Sequence, residues 1–192
     1  MRIGLDLDHT IISYNDSYKY IVEELQIETE CLTKAELKKF FEEPNRSGVS
    51  WLDFQQCLYT FGLEKAVPQP GVLDFLSKAR QLEHDLFIVS HKTNTHFPLN
   101  DKFLNLREEA MRWLLSTRIY PELVNRKDIY FVNDGIEKLT KIKDLSLDIF
   151  IDDLPEIIFS RDFPASTIGY LFGSRNDKNE MVDFAFLKRQ LK

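Results

Sequence analysis

The chain has 192 residues, of which 43% are hydrophobic and 29% charged, and its formal net charge is −6. That balance suits one globular domain, or a core carrying a modest insertion, and excludes a disordered or fibrous chain. An acidic chain without a basic stripe is a poor candidate for sequence-independent nucleic-acid binding, and no apolar run approaches membrane-spanning length.

The chain opens on Ile3-Gly4-Leu5-Asp6-Leu7-Asp8-His9-Thr10, an apolar run that ends in two carboxylates one residue apart. In an extended strand residues i and i+2 point to the same side, so Asp6 and Asp8 emerge together where the strand stops. Either this is a solvated strand end, or it is a nucleophile and a general acid/base beside a hard cation. Charges at Arg2 and Asp6 do not fit a cleaved signal peptide, so the expected compartment is the cytoplasm.

From Ile11 to Leu25, Tyr14, Tyr18, Ile21 and Val22 recur at helical spacing, and with Tyr20 they read as packing residues. Thr33 and Glu36 form a capping box for a helix with Leu37, Phe40 and Phe41 on one stripe, stopped by Pro44. Asn45 to Gly48 reads as a turn. Ser50 caps a third helix, with Trp51, Phe54, Leu58 and Phe61 as its apolar face and Gly62 as its stop. Residues 14 to 68 thus read as an inserted helical block, closed by Pro68-Gln69-Pro70-Gly71. Cys31 and Cys57 lie in it without metal-ligand spacing and are expected as reduced thiols.

Beyond Gly71 helices and strands alternate. A helix over Val72 to Leu82 leads to the apolar strand Leu86-Phe87-Ile88-Val89-Ser90, and residues 91 to 104 follow as a long polar loop. Helix Leu106 to Thr117, strand Ile129 to Val132 and a helix from Ile136 to Leu145 come next. Strand Asp148 to Ile151 ends in Asp152-Asp153; a short helix after Pro155, a strand near Thr167 to Phe172 and a helix from about Met181 complete the chain. Such alternation predicts an α/β fold with a central parallel sheet between two helical layers, its ligand site at the carboxyl ends of the strands. Asp6, Asp8, Ser90, Asp152 and Asp153 fall at those ends. One of Lys138, Lys141 and Lys143 joins them, and Lys138, which opens its helix after Asn133-Asp134-Gly135, is the nearest.

Clustered carboxylates repel unless a cation compensates, and an all-oxygen site with room for a substrate phosphate suits Mg²⁺. A carboxylate screened by metal and lysine can attack phosphorus. His9, His91 and His96 lack zinc spacing; His91 and His96 remain candidates for a substrate contact.

Four pieces together resemble the motifs of the haloacid dehalogenase (HAD) superfamily. They are Asp6-Leu7-Asp8-His9-Thr10, Ser90 within Ile88-Val89-Ser90-His91-Lys92, Lys138, and Ile151-Asp152-Asp153. The resemblance implies a Rossmann-like core of residues 1–13 and 69–192, with a helical C1 cap at 14–68. It implies a Mg²⁺-dependent phosphatase acting on a small phosphorylated metabolite through an aspartyl-phosphate on Asp6. Asp8 would protonate the leaving oxygen and then activate water. Asp6, the Asp8 carbonyl, Asp152 and Asp153 would hold the metal, Ser90, His91 and Lys138 the phosphoryl oxygens, and Thr10 would fix the loop. Halide-displacing members lack the second aspartate, so Asp8 favours phosphoryl transfer. Transfer to an acceptor other than water, and a catalytically idle binding domain, are the alternatives.

Overall fold

The computed structural model describes residues 1–43, 48–94, 96–99 and 102–191. The stop expected at Pro44, most of the turn at Asn45 to Gly48 and the side chain of His96 lie outside the described residues. The chain divides into two compact units. One is Met1–Ile12, Pro68–Thr93 and Leu114–Lys192; the other is Ser13–Val67 with Asn94–Trp113.

In chain order, β1 (Arg2–Leu5) and the two-residue β2 (Ile12–Ser13) precede helices α1 (Asn15–Glu24), α2 (Lys34–Glu42) and α3 (Trp51–Leu58). A short β3 (Val67–Pro68) brings the chain back to α4 (Val72–Gln81) and β4 (Asp85–His91). Strands β5 (His96–Leu99) and β6 (Lys102–Asn105) lead into α5 (Leu106–Ser116). Then come β7 (Ile129–Val132), α6 (Gly135–Asp144), β8 (Ile149–Asp152), α7 (Pro155–Ile158), β9 (Ile168–Leu171) and α8 (Phe184–Gln190).

Strands β7, β4, β1, β8 and β9 form one sheet in that order, every neighbouring pair parallel. Near-continuous Val, Ile, Leu and Phe in β4 and β8 is what burial on both faces demands. On one face Phe87, Val89 and Phe150 pack with Ile142 of α6 and Ile157 of α7. Period-two alternation turns Gly4 of β1 to this same face, where an added Cβ would stand 2.4 Å from Leu147 Cδ1 and 2.8 Å from Phe150 Cδ2. Only glycine lets the strand approach so closely. On the other face α4 and α8 pair, Phe184 resting 5.3 Å from Phe75 and 4.9 Å from Phe172 between ring centroids. Gly71 starts α4 at φ 81°, a left-handed turn that an L side chain would strain. This is the three-layer α/β architecture expected from the alternation.

In the second unit both expected caps are present: Thr33 with Glu36 on α2, and Ser50 with Asp53 on α3, each a reciprocal capping box. Ser17 Oγ donates to the Gly62 carbonyl at 2.7 Å, and Trp51, Phe41 and Tyr18 pack around Phe54. The stripe of Trp51 and Phe54 is therefore packing. Cys57 is buried, and burial together with Asp53 pushes its thiol up to about 11, which leaves it unreactive. The polar segment expected as an irregular loop over 91 to 104 instead holds the antiparallel pair β5 and β6, with His96 opposite Asn105. Alternation is what marks a half-buried strand in a sequence, and His96-Phe97-Pro98-Leu99, with a proline inside it, does not carry that signal.

Candidate active site

Register brings the acidic residues together. Leu5 pairs with Ile151 across β1 and β8, so Asp6 and Asp152 leave the sheet side by side, and the Asp6 amide donates to the Ile151 carbonyl at 2.8 Å. On the other flank Leu5 pairs with Ile88, which puts Ser90 at the same edge. Asp6 shares the face of Gly4, the face covered by α6.

From that helix comes Lys138. Asp134 caps α6 by accepting from the Glu137 amide at 2.8 Å, and Glu137 in turn accepts from the Asn133 amide at 2.8 Å. One turn in, Lys138 points inward and is only 1% exposed. Its Nζ donates to Asp6 Oδ1 at 2.6 Å and is paired with Asp152 Oδ2 at 2.6 Å, with the Phe150 ring 5.6 Å below. Lys141 is half-buried over Tyr130 and Lys143 is exposed, so Lys138 alone of the three lysines reaches the carboxylates.

Electrostatics follow from the burial. Burial alone would pull Lys138 down, but Asp6 and Asp152 hold its ammonium above the ordinary lysine range. Asp152 behaves in the opposite sense. Burial first and Asp6 second push its carboxyl up to about 7, against the downward pull of Lys138 and the Leu154 amide, which donates to Asp152 Oδ1 at 3.0 Å.

Carboxylate oxygens of Asp6, Asp152 and the half-buried Asp153 lie within 4.8 Å of one another. The donor set is all oxygen, two of the three residues are buried, and burial with Asp6 pushes the Asp152 carboxyl upward even beside Lys138. These features fit a hard divalent ion such as Mg²⁺.

Asp8 takes a different partner. Its carboxylate lies outside that triad and accepts two hydrogen bonds from Lys92 Nζ, at 3.0 Å to Oδ1 and 2.7 Å to Oδ2. Lys92 is 2% exposed, just past β4, with its amide donating to the Val132 carbonyl of β7 at 2.9 Å. His91 is exposed, whereas the buried Lys92 ends on Asp8, so Lys92, not His91, meets the Asp8 carboxylate. Sequence reading gave Lys92 no role; its i+2 spacing from Ser90 was the available signal.

Ser90 Oγ and Thr10 Oγ1 are buried without a hydrogen-bond partner among the described residues. A buried hydroxyl left unpaired costs free energy, which a ligand oxygen at Ser90 would recover. Among the described residues the Thr10 hydroxyl has no partner through which it would fix the loop. The loop is held instead by His9, at φ 61°, whose carbonyl accepts from Gln69 Nε2 at 3.1 Å.

Among the described residues no helix is long and apolar enough to cross a membrane. No family model matches the chain, and no curated protein does. Solved structures do resemble it. A hydrolase from Streptococcus pneumoniae TIGR4 superposes with a TM-score of 0.58 at 15% identity, over 99% of this chain and 97% of that one. A haloacid dehalogenase-like family hydrolase from Xanthomonas campestris gives 0.56 at 11% identity, over 99% and 93%. A candidate β-phosphoglucomutase from Thermotoga maritima gives 0.55 at 15%, over 98% and 99%.

Proposed function

We propose that this chain, which has the fold of the haloacid dehalogenase superfamily, is a Mg²⁺-dependent phosphatase of small phosphomonoesters that works through an aspartyl-phosphate on Asp6. The observation that carries the reading is Lys138, buried and held within 2.6 Å of both Asp6 and Asp152. A lysine driven into a protein interior between two carboxylates serves to hold negative charge together, and phosphoryl transfer brings more of it.

Each residue then has a task. Asp6 Oδ attacks phosphorus as the bond from phosphorus to the leaving oxygen breaks, and the Asp8 carboxyl gives that oxygen its proton. In the second half Asp8, now a carboxylate, takes a proton from water; the water oxygen attacks phosphorus, the bond to Asp6 breaks and inorganic phosphate leaves. Ser90 and Lys138 bind the phosphoryl oxygens. Asp6, Asp152 and Asp153 would hold Mg²⁺, which when bound screens the repulsion between the attacking carboxylate and the phosphate. The second compact unit, which the chain enters directly after the Asp6 to Thr10 motif, is the reading's source of substrate selectivity, as a cap.

A second reading, transfer to an acceptor other than water, uses the same residues. Likeness to the Thermotoga protein favours considering it. An idle binding domain is disfavoured by an intact Asp6 and Asp8, each with its own lysine.

The test is phosphate release from a panel of small phosphomonoesters, with Mg²⁺ or chelator, by wild type and Asp6→Asn. Turnover should require Mg²⁺ and vanish in the variant. Activity surviving both treatments rules the mechanism out, and phosphorylated acceptor appearing in place of free phosphate selects the transferase reading.

A further inference from the structure

Asp8 and Lys92 are 84 residues apart and meet in the core of the site, with both carboxylate oxygens on one ammonium. The pair is more than neutralisation of a buried charge, because its geometry fixes an orientation. A carboxylate held through one oxygen can swing about its bond to Cβ, whereas one held through both is set in plane and rotamer. Lys92 is itself fixed. Its amide is tied to β7 at Val132, and its side chain is enclosed along its length. The sheet therefore carries two lysines toward two aspartates, Lys138 from α6 to Asp6 and Lys92 from the end of β4 to Asp8.

We propose that Lys92 is a positioning residue for the proton transfers of the reaction: it acts through Asp8, aiming that carboxyl at the leaving oxygen in the first half and at water in the second. This rests on the phosphatase reading given above. The nucleophile has its own partner in Lys138, so removal of Lys92 should fall chiefly on the steps that need Asp8.

Leaving groups separate the two. p-Nitrophenolate departs without a proton, whereas the alkoxide of n-propyl phosphate does not. With the full chain and Mg²⁺, Lys92→Met should leave the pre-steady-state burst of p-nitrophenol within about threefold of wild type. It should slow n-propyl phosphate turnover by about a hundredfold, the range that general acid catalysis supplies. Lys92→Arg keeps the charge, and its guanidinium fork can still meet both oxygens, but its larger planar head sets the carboxyl in a different place. It should show the same selective loss to a smaller degree. In an Asp8→Asn background Lys92→Met should add less than about twofold, since residues acting as one unit are not additive.

Equal losses on both probes in Lys92→Met and Lys92→Arg, or full additivity with Asp8→Asn, overturn the assignment alone. A wild type that is inert toward both probes overturns the phosphatase reading and this assignment with it.

Discussion

Lys138 Nζ and Asp6 Oδ1 stand 2.6 Å apart although 132 residues separate them in the chain. Asp152 completes the triad from the other side, so one ammonium serves two buried carboxylates. Such an arrangement contributes little net stability compared with an apolar core, yet breaking it is costly, since the remaining charges lose their partner.

Lys138→Met should therefore act twice. Denaturant unfolding is expected to lose about 3–5 kcal/mol, the usual cost of stranding a buried charge. Phosphate release should fall by about a hundredfold or more, as when a donor to a developing anion is removed. Lys141→Met, over the Tyr130 ring, serves as control and should cost under about 1 kcal/mol with activity retained. Similar behaviour of the two variants would remove Lys138 from the site.

The Asp152 carboxyl links metal to pH. Its pKa rises from an ordinary 3.8 to about 7 in the folded chain, through burial first and Asp6 second. Between those values the folded state holds a proton that the unfolded chain releases, so this group lowers metal-free stability as pH climbs through the window and has no further effect above it. A divalent ion replaces that proton. The gain in thermal midpoint on adding Mg²⁺ should accordingly be larger at about pH 8 than at about pH 5.5. A gain equal at both, or larger in acid, would contradict the role of Asp152 as a ligand.

Gly4 tests how the sheet approaches α6. Because an alanine Cβ would stand 2.4 Å from Leu147 Cδ1, Gly4→Ala should destabilise by about 1–3 kcal/mol through overpacking. Leu147→Ala removes the nearer obstruction and leaves Phe150 Cδ2 at 2.8 Å, so the double variant should be more stable than the two single losses sum to, by at least about 0.5 kcal/mol. Strict additivity in urea unfolding would mean that the backbone yields instead of the side chain.

Much of this site was legible in the chain because strand ends are written in local pattern. An apolar run followed by Asp6 and Asp8, by Ser90, or by Asp152 and Asp153 marks the carboxyl edge of a parallel sheet, and register then brings those positions together. Lys138 was legible as the lysine that opens α6 after the Asp134 cap. Lys92 was not, since a lysine at the start of a polar segment usually reaches solvent. Its direction depends on β4 continuing one residue past Ser90 to pair His91 with Val132. His91 itself ends β4 exposed. Strands β5 and β6 escaped for a related reason: they are short, polar in part and interrupted by Pro98, so their pairing, not their composition, makes them strands. Helix ends shifted by a few residues where a cap decided them, as at Asp183, which starts α8 at Phe184 instead of near Met181.

The most direct measurement is the mass of the Asp6 peptide after acid quench. Asp8→Asn, which can accept the phosphoryl group from p-nitrophenyl phosphate but has no base to release it, should be trapped with Mg²⁺ present. One phosphoryl group is expected on the peptide containing Asp6, and none in the Asp6→Asn/Asp8→Asn double variant. An Asp6 peptide that stays unmodified while wild type turns the same substrate over would contradict covalent catalysis by this residue.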